Sequence, residues 1–275
     1  MRINTNVSAL RAQRSMSEHT KQIESSSGKL SSGTRVRNAA DDAASLSIGN
    51  KQKTNIRSQG QAIRNANDAV SLLQTAEGSM GEISNMLVRL RELSVQAASG
   101  HLQDSDRGMI NNEYMALRRE MERIARSSRF MGTDLLQDKL FKTNDFLIGV
   151  NNKEESHLKM SSEDFIVTEF TLHVVDSSIV NAEEAQINLK HIDHAIQMIT
   201  EKRTKLGAFQ NKLNSSISNL ETSKVNETAA ASRTMDADLA YETSEKMRSE
   251  GKLMAASSVL SQANQFSAMA LNLLK

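Results

Sequence analysis

The sequence predicts a mainly α-helical protein: a long antiparallel, coiled-coil-like helical bundle formed by the N- and C-terminal regions, with a small β-hairpin region in the middle of the chain. Three observations predict this fold class. The 275 residues contain no proline, the residue that most reliably breaks a helix. Aromatic residues make up only 3% of the chain, which argues against strand-rich folds. Apolar residues recur at helical spacing over several long segments.

The composition also excludes several kinds of functional site. Without cysteine, the chain has no disulfide, thiol nucleophile or cysteine-ligated metal. Its formal net charge of +1 does not indicate nucleic acid as a partner. No apolar run approaches the length of about 18 residues that spans a bilayer, so we expect no membrane insertion. We find no nucleophile–base arrangement and no glycine-rich phosphate loop, and therefore expect no enzymatic activity and no cofactor.

Three helices are predicted in the first half of the chain. The second of them begins after Asp41-Asp42, whose carboxylates suit a helix N-terminus, and ends near Gly100. At a rise of 1.5 Å per residue, this helix is roughly 80 Å long. The third has Asp104, Ser105 and Asp106 where its cap is expected. The apolar positions are, helix by helix, Ile3, Val7, Leu10, Met16, Ile23 and Leu30; Ile63, Ala66, Val70, Leu73, Met80 and Leu87; and Ile110, Tyr114, Leu117, Met121 and Ile124.

Residues 138–178 differ in composition from the helical segments. Their apolar runs, at 146–150, 165–167 and 170–175, combine phenylalanine with β-branched residues, which favour strands. Asn151-Asn152 follows the first run and is typical of a turn. The segment therefore predicts one or two β-hairpins attached to the helices.

Two more helices are predicted in the second half. The first has the uninterrupted spacing of a coiled coil. Its positions are Leu189, Ile192, Ile196, Ile199, Arg203, Leu206, Gln210, Leu213, Ile217 and Leu220. The second, over residues 253–274, is apolar on most of its circumference and must be buried on most sides. Because the N-terminal helix covers one side only, we expect other copies of the chain to cover the rest; the alternative is a helix docked on its own domain.

Short segments towards both ends of the chain form an ordered set. The N-terminal segments are Ile3-Asn4-Thr5-Asn6-Val7-Ser8-Ala9-Leu10, Leu30-Ser31-Ser32-Gly33, Asp41-Asp42-Ala43-Ala44, Gln74-Thr75-Ala76-Glu77-Gly78 and Arg91-Glu92-Leu93. The C-terminal segments are Leu206-Gly207-Ala208-Phe209-Gln210-Asn211, Asp236-Ala237-Asp238, Ser261-Gln262-Ala263-Asn264-Gln265 and Leu271-Asn272-Leu273-Leu274-Lys275. In order and spacing they resemble the signatures of bacterial flagellins, over about residues 1–137 and 182–275.

The resemblance implies a structural subunit that polymerises into the helical flagellar filament used for motility. It implies D0 terminal helices (the inner tube) from residues 1–43 and 236–275, and a D1 helical rod from residues 44–235 that carries the hairpin insert. The implied partners are other copies of the chain, the flagellar export apparatus, a chaperone and cap proteins. The implied location is extracellular, in the filament, after export without a cleaved signal peptide. Arg37, Ser45 and Ser47 depart from the family pattern and add a charge and hydroxyls to the connector between the two domains.

Two sets of residues are candidates for contact with other molecules. The expected polymerisation interface consists of apolar residues of the terminal helices: Ile3, Val7, Leu10, Val259, Leu260, Phe266, Met269, Leu271 and Leu274. By resemblance, Arg89, Leu93 and Glu113 match residues with which flagellins contact an innate immune receptor. The alternative for this second set is an ordinary helix surface, with Arg89 and Glu113 solvated and Leu93 packed.

The remaining patterns are weaker. His191 and His194 lie near Glu183 and Glu184 but lack the His-Glu-x-x-His arrangement, so we expect no metal site. The arginines at 118–129 alternate with glutamates, which favours a solvated or subunit-pairing face over nucleic-acid binding. Two rival functions stay open: a hook–filament junction protein, and a monomeric coiled-coil secreted effector.

Overall fold

The computed structural model describes residues 5–136, 144–151, 154–160, 166–167 and 178–272, with the backbone alone for residues 144, 155 and 267–272. These residues form five α-helices and two small antiparallel strand pairs, which confirms the predicted fold class. The helices are α1 (Val7–Ser32), α2 (Ala43–Ala97), α3 (Asp104–Ser127), α4 (Ala182–Met235) and α5 (Leu239–Asn272). Among the described residues, none of the helices contains an apolar stretch of the length that a membrane span requires.

The chain folds into two compact units. Unit 1 comprises Met1–Ile56 with Val225–Lys275, and unit 2 comprises Arg57–Lys224. Helices α2 and α4 each begin in one unit and end in the other. The division into D0 over residues 1–43 and 236–275, and D1 over residues 44–235, stays a prediction.

The core of unit 2 is built from one face each of α2, α3 and α4. The fully buried large side chains are Leu73, Met80, Ile83, Leu87, Leu90 and Leu93 on α2, Tyr114 and Met121 on α3, and Ile192, Leu206 and Leu213 on α4. These are positions that the helical spacing of the sequence places on one face. Burial of side chains of this size contributes about 1.5–3 kcal/mol each, so this apolar face is what holds the three helices together.

Three polar residues interrupt the apolar spacing of α2 and α4, and the structure shows why they are tolerated. Gln210 on α4 donates a hydrogen bond from Nε2 to Oε2 of Glu77 on α2, at 3.0 Å. Arg203, one heptad before Gln210, places Nη2 3.8 Å from Oε1 of the same carboxylate. The polar positions of the two helices therefore meet each other, which satisfies their hydrogen-bonding groups beside the core.

Both described strand pairs lie in unit 2. β1 (Arg129–Phe130) pairs with β2 (Thr133–Asp134), and β3 (Asn144–Leu147) pairs with β4 (His157–Met160). The β3–β4 pair lies within residues 138–178 and confirms the hairpin predicted there. The β1–β2 pair precedes that segment and was not predicted.

Two details of the hairpin region differ from the prediction. The connection between β3 and β4 runs over residues 148–156 and contains the 3-10 turn Glu154–Ser156, so Asn151 belongs to a longer loop than a two-residue turn. Of the expected strand segments 165–167 and 170–175, only Ile166 and Val167 lie within the described residues, and they are not in a strand. Asn152 and the rest of those segments lie outside the described residues.

The N-termini of α2 and α3 contrast with each other. Asp42 precedes α2 as predicted and accepts a hydrogen bond from the Ser45 N–H at 3.0 Å. At α3 the predicted cap was wrong, because the cap position is Gln103 and its side chain makes no capping bond. Asp104 and Asp106 lie inside the first turn instead, where a negative charge favours the helix dipole.

Candidate functional site

Helices α1 and α5 pack against each other in unit 1 as an antiparallel pair. On α5, Glu242, Ser249, Ala256 and Ala263 follow one another at seven-residue intervals, and three of them are buried. This interval is the heptad of a coiled coil, in which the same face of a helix meets its partner in every second turn. On α1 the buried residues are the small Ala12 and Ser26, which lets the two helices approach closely.

Three polar contacts fix the register of this pair. Lys29 Nζ lies 2.9 Å from Oε1 of Glu242, whose side chain is only 6% exposed. Towards the other end, Asn6 Nδ2 donates to the Ala263 carbonyl at 2.9 Å. Between them, the Ser249 hydroxyl donates to the Gln22 side-chain oxygen at 3.4 Å. A shift of either helix along the other breaks all three contacts together, so they specify one alignment.

The apolar residues that the pairing leaves uncovered lie on the outside of the two helices. Val7 and Leu10 on α1 are 43% and 57% exposed, and Val259 and Phe266 on α5 are 54% and 58% exposed. Leu260 is half-buried, one turn along from the half-buried Ala256. These five belong to the predicted polymerisation interface. Of its other members, Met269 and Leu271 are described by their backbone alone, and Ile3 and Leu274 lie outside the described residues.

The connector from α1 to α2 pairs with the connector from α4 to α5. Thr34 forms an isolated antiparallel bridge with Asp236, and the N–H of Arg35 donates to the Met235 carbonyl at 2.7 Å. Gly33 ends α1 with a φ of 68°, a conformation that glycine adopts without strain, and its carbonyl accepts from the Ala237 N–H at 2.9 Å. The helix pair is thus closed at one end by backbone hydrogen bonds.

Two carboxylates organise the connector that precedes α2. Asp41 accepts hydrogen bonds from the backbone N–H groups of Asn38 and Arg37, and these bonds lower the pKa of its carboxyl. Hydrogen bonds from the hydroxyl and the N–H of Ser45 lower the pKa of Asp42. Ser45 is therefore a partner of the helix cap.

In unit 2, Arg89 and Glu113 meet on the surface between α2 and α3. Arg89 donates from Nε and Nη2 to Oε1 of Glu113 at 3.0 and 2.7 Å, and from Nη1 to Glu92 at 2.9 Å. The bond to Glu113, followed by the bond to Glu92, raises the pKa of Arg89 above its ordinary value. Leu93 is only 1% exposed and belongs to the core. The structure therefore brings two of the three candidate receptor residues together at the surface and places Leu93 beneath it.

The described residues contain no group of three or more histidine, aspartate or glutamate side chains placed to hold a metal ion. His191 and His194, the pair considered from the sequence, are both exposed on α4. Arg123 pairs with Glu120, and Arg126 with Glu122, so within the described part of the chain these arginines form ion pairs on their own helix.

The polar contacts inside the α1–α5 pair were not predicted from the sequence. The signal was present in the seven-residue interval from Glu242 through Ser249 to Ala263. It was hidden because two of the repeating positions are polar, and a search for apolar stripes passes over them.

The two regions of the sequence that contain most of the helices each match a model of a known protein family. Residues 3–140 match the family model "Bacterial flagellin N-terminal helical region", and residues 189–274 match "Bacterial flagellin C-terminal helical region". The chain belongs to the bacterial flagellin family. It is a structural subunit of the flagellar filament, as the resemblance implied.

Several relatives align with this flagellin over its whole length. A flagellin of Halalkalibacterium halodurans is 37% identical over 275 residues, and one of Bacillus subtilis is 34% identical over 308 residues, each with 100% of both chains covered. The flagellar filament 33 kDa core protein of Treponema phagedenis is 32% identical over 290 residues, again with 100% of both chains covered.

Solved structures show a similar fold. The crystal structure of Bacillus cereus flagellin, at 27% identity, superposes with a TM-score of 0.51 and covers 57% of this chain and 88% of that one. A putative flagellar hook-associated protein from Vibrio parahaemolyticus, at 16% identity, gives a TM-score of 0.57 over 71% of this chain and 100% of that one. At that identity the second likeness concerns the fold alone.

Proposed function

We propose that this flagellin polymerises through the outer apolar surface of its α1–α5 pair. The proposed interface consists of Ile3, Val7, Leu10, Val259, Leu260, Phe266, Met269, Leu271 and Leu274. The observation that carries the proposal is the exposure of Phe266 and Val259, at 58% and 54%, on a helix that is apolar around most of its circumference. Burial of each such side chain contributes about 1.5–3 kcal/mol. Because α1 covers only one side of the helix, neighbouring subunits are needed to cover the rest.

The proposal includes a division of the chain between two layers. Residues 1–43 and 236–275 form the inner tube, and residues 44–235 form the outer layer. An interface of this kind joins different surfaces of neighbouring copies, so it does not close on itself and produces an open helical polymer.

Folding of the terminal helices accompanies assembly in this proposal. The buried apolar residues of the described α1–α5 pair are the alanines Ala12 and Ala263, whereas unit 2 buries leucine, isoleucine and methionine. Ordering a residue costs about 1–2 kcal/mol of backbone entropy, which so few buried methyl groups do not offset. In a free subunit the terminal segments therefore stay largely disordered, and the surface of the neighbouring copies orders them.

Polymerisation is tested with a chain that lacks residues 260–275. We expect soluble subunits with a helical unit 2 that do not extend filament seeds, while the untruncated chain extends them. Filaments of normal length from the truncated chain contradict the proposal. The same seeding assay excludes the rival functions, because neither a junction protein nor a monomeric effector grows filaments alone.

Export and receptor contact are further parts of the proposal. The chain leaves the cell unfolded through the flagellum's export apparatus, with chaperone and cap proteins as partners, and is located outside the cell in the filament. Arg89 and Glu113 form the part of an innate-receptor contact that lies at the surface, with Leu93 supporting it from the core. In a reporter-cell assay with monomer, we expect Arg89→Ala to lower the response; an unchanged response contradicts receptor contact through this pair.

A further inference from the structure

The turn between β1 and β2 has an unusual residue at its tip. The pairs Arg129↔Asp134 and Phe130↔Thr133 leave Met131 and Gly132 as the two residues of the turn. Their φ angles are 50° and 83°, both in the left-handed region. Two positive φ angles are the pattern of a type I′ hairpin turn, in which asparagine, aspartate and glycine are strongly preferred at the first position. Methionine at this position holds a strained backbone.

The strain at Met131 is not offset by packing of its side chain. Met131 is 85% exposed, more than any other large apolar side chain among the described residues. Among the described residues, Met131 is also the only residue other than glycine that has a positive φ. A strained backbone that displays an uncovered apolar side chain suggests a role outside the subunit, because nothing within the described chain benefits from it.

The hairpin holds this methionine in a fixed position. The hydroxyls of Ser79 on α2 and Ser128 are 2.8 Å apart, and the Leu135 N–H donates to the Ser128 carbonyl at 2.9 Å. Leu135 and Leu136, which follow β2, are buried in the core of unit 2. The turn is therefore anchored on both sides.

The charge and size of the tip indicate what it contacts. Arg129 and Asp134, at the base of the turn, form an ion pair with each other, so the hairpin has no net charge for a phosphate or another charged group. One methionine is also far too small to hold a separate protein, since a stable interface buries roughly 1,200–2,000 Å². A contact of one side chain matters only where other surfaces already hold the partner in place, which is the situation of a neighbouring subunit in a filament.

We propose that Met131 inserts into an apolar recess of a second copy of this chain in the assembled filament. The proposal rests on the proposed function, since it requires a filament. The flexible, polarisable thioether suits an irregular recess.

The test compares two substitutions of Met131, one that changes the stability of the subunit and of the filament in opposite directions and one that serves as its control. Met131→Asn supplies a residue that the turn prefers and removes the apolar side chain. We expect a higher unfolding temperature for the free subunit, yet a critical concentration for seeded filament growth that rises about tenfold, the effect of losing one buried apolar side chain. Met131→Leu keeps both the strain and an apolar side chain, and we expect its critical concentration to stay close to that of the unaltered chain. A critical concentration for Met131→Asn equal to that of the unaltered chain overturns the proposal.

Cross-linking identifies the partner directly. The chain has no cysteine, so Met131→Cys gives one attachment point for a photoreactive maleimide. Irradiated filaments are expected to yield dimers of the chain, and irradiated free subunits to yield none. If the labelled chain forms filaments without such dimers, the Met131 contact is wrong while the proposed function stands. If the unaltered chain does not extend seeds at all, it is the proposed function that fails.

Discussion

Arg107 shows how much one buried side chain contributes to unit 2. It is 8% exposed, and its guanidinium donates to the carbonyls of Ala97 and Ser99 and to the Asp104 carboxylate, each at 3.0 Å. The planar fork of arginine thereby joins the C-terminal end of α2 to the first turn of α3. Lysine does not reproduce this geometry, because its ammonium is a single point of charge.

We expect Arg107→Ala to lower the free energy of unfolding of the soluble subunit by about 2–3 kcal/mol, because the buried carbonyl of Ala97 and the part-buried carbonyl of Ser99 lose a charged donor. The measurement is urea unfolding followed by circular dichroism. Arg123→Ala is the matched control, since Arg123 is 62% exposed and pairs with Glu120 on its own helix; its effect is expected within about 0.5 kcal/mol. Equal effects of the two substitutions contradict the role assigned to Arg107.

The carboxylates of the α1–α2 connector make a pH dependence expected in unit 1. Hydrogen bonds from Asn38 and Arg37 lower the pKa of Asp41, and those from Ser45 lower the pKa of Asp42. A lowered folded-state pKa means that the stabilisation is fully present above the unfolded-state pKa of about 3.9 and is lost as the pH falls through the folded-state value. We therefore expect the connector to loosen in acid.

The measurement compares hydrogen exchange of the connector amides in assembled filaments at about pH 6 and about pH 3, after correction for the intrinsic exchange rates. In the unaltered chain, protection of the connector should fall in acid. In the double variant Asp41→Asn and Asp42→Asn it should change much less, because asparagine still accepts a hydrogen bond but does not titrate. Asp68→Asn, at an exposed position on α2, controls for the loss of charge alone. An identical acid response in the double variant rules out the two carboxylates as its origin.

At the scale of the element, the α1–α5 pair depends on polar contacts more than on apolar burial. Glu242 is nearly enclosed, and Lys29 beside it is its cationic partner. Removal of one partner of such a pair costs about 3–5 kcal/mol when burial is complete, whereas removal of both partners costs less because no charge is left behind. The Lys29–Glu242 ion pair therefore contributes little net stability, and its main effect is to specify how α1 and α5 align.

This argument makes a double-substitution experiment informative. We expect Lys29→Met to lower the temperature at which filaments dissociate, and the combination with Glu242→Leu to restore most of the loss. Arg14→Met is the control, because Arg14 and Glu18 form an ion pair whose side chains are 83% and 62% exposed. Light scattering of heated filaments follows the dissociation. If Lys29→Met filaments dissociate at the same temperature as filaments of the unaltered chain, the alignment role of Lys29 is wrong.

The helices were predictable from the sequence because their burial follows a period. Leu73, Met80 and Leu87 recur at seven-residue intervals on α2, and the chain has no proline to interrupt long helices. The β1–β2 turn was not predictable, since Met131-Gly132 lacks the asparagine or aspartate that marks such turns. The predicted α3 cap at residues 104–106 was wrong, because Asp104 lies inside the first turn and accepts a hydrogen bond from Arg107 on the same helix.

At the scale of the whole molecule, the candidate site was predictable in kind but not in detail. The apolar circumference of residues 253–274 indicated missing partners, and Phe266 and Val259 are indeed exposed. The residues of α5 that face α1 were not predicted, because they are small or polar, as Ser249 and Ala263 are, and recur every seven residues. The family resemblance assigned Leu93 to a candidate contact, with packing as the alternative, and its burial follows from packing between helices distant in the sequence.

The chain contains no cysteine, and the proposed route through a narrow export channel requires an unfolded chain. Whether a disulfide would block this route can be tested by introducing cysteines. Gln22 and Ser249 contact each other across α1 and α5, so Gln22→Cys with Ser249→Cys provides a cross-link between distant parts of the chain. We expect the oxidised double variant to stay inside the cell, because a closed loop does not pass as a single strand. The reduced double variant and each single variant should be secreted normally, as measured by immunoblotting of the culture medium under non-reducing conditions. Secretion of the cross-linked species at the rate of the reduced chain means that unfolding is not required, and the absence of cysteine then needs another explanation.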